Sequence, residues 1–115
     1  MSFKDALKRI HQHIDKHFEE HLEQVQKYVR QPSISADGTG IKETAEVTKV
    51  FIEGLGGTAK ILSTEGWPVV YGELSSEAEK TLLIYGMYDV QPVEEEKGMW
   101  IVPPFSGEIV KMEPF

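Results

Sequence analysis

Three groups of side chains in this 115-residue sequence have types and spacings that could do chemistry. The first is a histidine row, His13, His17 and His21, with His11 close by. On a helix, positions i, i+4 and i+8 project from one side, and an i, i+4 histidine pair can chelate a divalent cation. Glu19, Glu20 and Glu23 surround the row. A solvated polar face is the commoner fate of such a stretch, with zinc or nickel taken up adventitiously and no active site implied. The second group is Glu94-Glu95-Glu96. Catalytic carboxylate pairs need environments that push their pKa values apart, whereas adjacent acids in a loop are normally all solvated. The third is Asp89, which follows the apolar run 81–85 (TLLIY) and Gly86. A carboxylate just past a buried strand lies where open α/β sheets bind ligands, although a turn aspartate bonding its own backbone leaves the same trace.

These side chains need elements to hold them. Phe3, Leu7, Ile10, Ile14, Phe18, Leu22, Val25 and Val29 recur at intervals of three and four, which predicts one long amphipathic helix over the first thirty residues. Ser2 is its expected N-cap, with Asp5 completing an acidic capping box, and Pro32 ends it. Residues 32–40 (PSISADGTG) read as a loop. A second helix is expected from Ile41, with Ala45, Thr48, Phe51, Ile52 and Leu55 facing inward and Gly56-Gly57 stopping it. The period then changes. Strands are expected at 58–62, at 68–74 and at 81–85, the last buried on both faces, and a final strand at 106–112. The order predicts an α/β layer, helices packed on a mixed sheet. A chain that stops at KMEPF just after a strand reads as part of a larger fold, so residues 1–115 are taken as one partial domain.

Composition narrows the function classes. The net charge of −7 is uneven: −1 over residues 1–57 and −6 over 58–115. The acidic second half argues against nucleic acid and against an anionic membrane as partners, because like charge repels phosphate. There is no cysteine, which excludes disulfide scaffolds and thiol nucleophiles. No apolar run is long enough to span a bilayer, and the first ten residues lack a signal-peptide core, so a cytoplasmic location is expected.

The segment LLIYGMYDVQPVEEEKGMWIVPPF resembles the metal-site loop of the co-catalytic zinc peptidases and deacylases, the carnosinase-like dipeptidases above all. YVRQPSIS, IKETAEVTKVFIEGLGGTAKIL and GWPVVYGEL resemble, in order, that family's first helix and loop, its second helix and strand, and the strand before the metal loop. The resemblance implies the N-terminal part of a phosphorylase/hydrolase-like three-layer αβα domain, and an amide hydrolase acting on dipeptides or N-acyl amino acids with zinc as cofactor. In the family the loop carries His-x-Asp: the histidine binds zinc, and the aspartate orients its imidazole. Here the ligand position is Met87, and Asp89 stands in the aspartate position. A thioether is a soft, weak donor for zinc, and Asp89 is left without an imidazole to orient. The chain alone is therefore expected to be inactive. The competing expectation is a non-catalytic module that self-associates, as a homo-oligomer, or binds a partner.

Overall fold

Helix α1, Phe3–Lys16, begins as its sequence requires. The computed structural model describes residues 1–93 and 98–111. At the helix start the Asp5 amide donates to Ser2 Oγ at 3.2 Å, while Ser2 N–H and Oγ–H both reach Asp5 Oδ2. The predicted capping box is thus complete. The single long helix is not. His17 has φ −107° and ψ 16°, outside the helical basin, and α2 runs separately from Phe18 to Val29. The hydrogen-bond ladder bridges the joint, since His17 N–H reaches the His13 carbonyl and His21 N–H the His17 carbonyl, both at 3.0 Å. The result is an elbow within an otherwise continuous rod. Nothing at Asp15–Phe18 is a proline or glycine, so the usual signal for a bend is missing.

Past Arg30 the chain enters a tightly wound loop. Ile34 N–H donates to the Thr39 carbonyl at 2.8 Å, and Gly38 N–H returns to the Ile34 carbonyl at 2.9 Å. Gly40 carries the turn into the next helix with φ +71°, and a β-carbon there would lie 1.9 Å from the Pro32 carbonyl oxygen. Only glycine fits both demands. Helix α3, Ile41–Gly54, starts where predicted. Its buried residues are Ile41, Thr44 and Ala45, with Ile34 and Ser33 of the loop beside them. The expected inner face extends too far along: Thr48, Phe51 and Ile52 are half-buried and Leu55 is exposed. The predicted 3.6-residue stripe is present, but its burial declines along the helix, from the fully covered Ile41 to the exposed Leu55.

Strands β1, Thr58–Leu62, and β2, Val69–Glu73, pair antiparallel with Thr58 opposite Glu73 and Leu62 opposite Val69. Helix α3 packs on this ribbon; a β-carbon at Gly72 would strike the Ile52 side chain at 2.7 Å. The fold is α/β, as expected. The sheet itself is smaller than the expected mixed one, because among the described residues 81–85 and 106–111 join no ladder. Met112 lies outside the described residues, as does the Glu94-Glu95-Glu96 run. Leu82, Leu83, Ile84 and Tyr85 are 83–84% exposed, so the strand expected to be buried on both faces is buried on neither. The one parallel pairing among the described residues is an isolated bridge between Ile34 and Val90.

The outcome is an open molecule. A compact chain of this length has a radius of gyration of about 13 Å; here it is 17.6 Å. A folded monomer of this mass exposes about 6,300 Å²; this one exposes 10178 Å². Apolar side chains contribute to the excess, since the α1 stripe (Phe3, Ile10, Ile14) and the 82–85 run both face solvent. Among the described residues no helix is long and apolar enough to cross a membrane.

Candidate functional site

Asp89 sits at a knot where three distant segments are tied together. Its Oδ2 accepts a hydrogen bond from Ser35 Oγ at 2.8 Å, across 54 residues of sequence. The next residue, Val90, donates its N–H to the Ser33 carbonyl at 2.8 Å. Trp67 adds the third strand of the knot: its indole Nε1–H donates to the Ser35 carbonyl at 3.0 Å. The same indole lies over Gly38, where a β-carbon would stand 2.6 Å from the ring. Tyr88 closes it by donating its hydroxyl to the Pro68 carbonyl. Burial, and then the negative charge of Asp89, push the Tyr88 phenol above its ordinary pKa, so it stays a neutral donor through the physiological range.

Across the loop, Asp37 Oδ1 accepts the Thr39 amide at 2.9 Å, and that bond holds its carboxyl below the usual carboxylate value. Behind the knot the polar atoms of α3 are ordered by the same logic. Thr48 donates to the Thr44 carbonyl at 2.8 Å, so the Tyr28 hydroxyl, 3.1 Å from Thr48 Oγ1, must be the donor of that pair. Ser33 Oγ is the exception: it is buried and has no hydrogen-bond partner among the described residues.

A cavity of roughly 350 Å³ opens beside the carboxylate, bounded by Met87, Tyr88, Asp89, Trp67, Pro68 and Ile84 among others. Residues 86–90 are therefore neither buried filler nor one arm of a hairpin. Met87 is 79% exposed, so its thioether stands at the mouth and is not packed. The donors near the cavity do not make a catalytic zinc site. Such a site takes about three protein ligands and an open position. Among the described residues no three His, Cys, Asp or Glu side chains converge on one point. Asp89 already accepts from Ser35. His11 and His13 lie on α1, His21 on α2 and His17 at the joint between them.

Asp89 and Met87, singled out from the sequence, thus lie on the wall of one cavity. Ser35, Trp67 and Tyr88 were not singled out. Ser35 belongs to a loop that the sequence marks clearly, but no local pattern pairs it with residue 89.

Comparison with known proteins gives the following. No family model matches the chain. The chain is 32% identical to a Cys-Gly metallodipeptidase of Candida albicans, a match that takes in 74% of this chain and 21% of the relative. In three dimensions it matches an M20 family metallo-carboxypeptidase of Sulfolobus solfataricus with a TM-score of 0.74 and 47% identity, over 79% of this chain and 21% of that one. The chain spans about a fifth of the length of each.

Proposed function

We propose a function from one premise: this chain carries part of an M20 metallopeptidase fold, which its likeness to a Cys-Gly metallodipeptidase and to an M20 family metallo-carboxypeptidase supports. Its role is to build one wall of the reaction pocket of a metal-dependent amide hydrolase. The parent activity is hydrolysis of dipeptides or N-acyl amino acids, with zinc polarising the scissile carbonyl and activating water when bound. The observation that carries this reading is the cavity beside Asp89, reached immediately after Gly86 and walled by the loop that Ser35 anchors. Within that pocket Asp89 holds the loop in place through Ser35, and Trp67 and Tyr88 fix the backbone around it. Met87 presents a neutral sulfur at the position where the related loops are expected to carry a nitrogen ligand. Met87 and Asp89 offer at most two candidate ligands where a catalytic zinc takes about three, which supports the reading that the isolated chain does not turn substrate over.

The test is turnover of Cys-Gly and of N-acetyl amino acids by the 115-residue chain with added zinc. The expected result is no hydrolysis above the metal alone. Zinc-dependent turnover that disappears in Asp89→Ala would overturn the inactivity. A companion measurement uses Met87→His, which should raise zinc affinity in a manner that Asp89→Asn reverses. No gain would mean that the loop has lost the geometry its relatives are expected to share.

The exposed 82–85 run favours a second reading, a non-catalytic module that self-associates or binds a partner. Sedimentation distinguishes the two: an oligomer indifferent to a chelator supports the module.

A further inference from the structure

The histidine row changes meaning once the elbow is seen. On an unbroken helix, residues eight apart are separated by about 12 Å along the axis. The His13 and His21 rings are nevertheless only 5.9 Å apart, centroid to centroid. His13 and His17 are 4.4 Å apart, and His17 and His21 are 6.1 Å apart. The break at His17 has folded a row into a triangle. Two imidazoles bound tetrahedrally to one zinc, with Zn–N bonds of about 2.0–2.1 Å, place their ring centres about 5 Å apart. All three sides of the triangle lie near that value.

A second observation points the same way. His17 Nδ1 lies 3.0 Å from Glu20 Oε2. A carboxylate only accepts, so Nδ1 carries the proton and the ring position left for a metal is Nε2. A carboxylate behind a histidine is the arrangement that fixes the tautomer of a metal-bound imidazole and raises its basicity.

We propose that His13, His17 and His21 bind one divalent transition-metal ion of the zinc, nickel or copper class at the α1–α2 elbow. Imidazole suits these ions, and the remaining positions would be filled by water. As the rings stand, no three donor groups among the described residues converge on one ion. His13 is exposed and the other two are half-buried, and binding requires their rings to rotate between side-chain wells until the three nitrogens meet. Binding then locks the angle between α1 and α2. The site is independent of the Asp89 cavity and of the hydrolase reading.

The test is a calorimetric titration of the chain with zinc chloride at neutral pH, alongside far-ultraviolet circular dichroism. One ion per chain is expected, with helicity unchanged or raised on binding. His13→Ala, His17→Ala and His21→Ala should each lower the affinity tenfold or more, and Glu20→Gln by about 10-fold. His11→Ala should have no effect, because residue 11 points away from residue 13 on the helix. His13→Ala is the decisive variant, since it leaves the elbow residue in place. Wild-type affinity in His13→Ala and His21→Ala overturns the proposal, as does an equal loss in His11→Ala. Binding lost in Asp89→Asn but kept in all three histidine variants overturns it as well, by moving the ion to the other site.

Discussion

The knot around Asp89 and the run 82–85 are separated by only a few residues, yet they have opposite fates. The run is the more apolar of the two, and its four side chains are almost wholly in water. The knot is rich in serine, threonine, aspartate and glycine, and it borders the molecule's buried core at Ile34, Ile41 and Ala45. Burial therefore follows from having a surface to meet and not from hydrophobicity alone. The loop 32–40 meets α3, Trp67 and Val90, whereas residues 82–85 find no covering surface among the described residues. Polar atoms make those meetings specific: the Ser33 carbonyl takes the Val90 amide, the Ile34 amide goes to the Thr39 carbonyl, and the Ser35 carbonyl takes the Trp67 indole.

Three experiments sharpen that contrast, from the largest effect to the smallest. Ile41→Ala removes a side chain with no exposed surface and should cost about 2–5 kcal/mol of stability. The control, Leu83→Ala, trims apolar surface that already faces water and should change stability by less than about 0.5 kcal/mol. Denaturant titration of both checks the comparison, and equal losses would break it. Gly40→Ala should cost about 1–3 kcal/mol, because a left-handed φ and the nearby Pro32 carbonyl both oppose a β-carbon. The midpoint of urea unfolding reads this directly. Leaving the Leu83 control aside, the smallest effect is expected at the Ser35–Asp89 bond, which is exposed. A double-mutant cycle with Ser35→Ala and Asp89→Asn should give a coupling of about 0.5–1.5 kcal/mol. A coupling of zero would mean that the two segments are held by Val90 and Trp67 alone.

Much of the molecule is legible in the sequence wherever the cause is local. Ser2 and Asp5 announce the capping box, Gly40-Ile41 the start of α3, and the β-branched residues of 58–62 and 68–74 the ribbon. The family is legible too, but only by resemblance: DVQPV with its downstream tryptophan and PPF is similar to the metal-site loop of the metallopeptidases. What fails is everything that depends on a partner at long range. TLLIY has the composition of a central strand, but a strand is defined by its neighbours, and none of the described segments supplies them. The inner face of α3 is read as far as Leu55 for the same reason: periodicity gives the direction of a face and not how far it is covered. The elbow at His17 has no glycine or proline to declare it, so a continuous stripe conceals it. Ser35 meets Asp89 across a span that no short window contains.

The indole of Trp67, bonded to the Ser35 carbonyl and seated over Gly38, has an optical consequence. Its emission depends on whether that loop is docked. Lifting the loop away would hand the ring to water and shift its fluorescence to the red. Trp100 would also contribute, so Trp100→Phe makes Trp67 the sole indole emitter of the chain. The knot thereby carries its own dye, and the opening of one loop can be followed in real time without attaching a label.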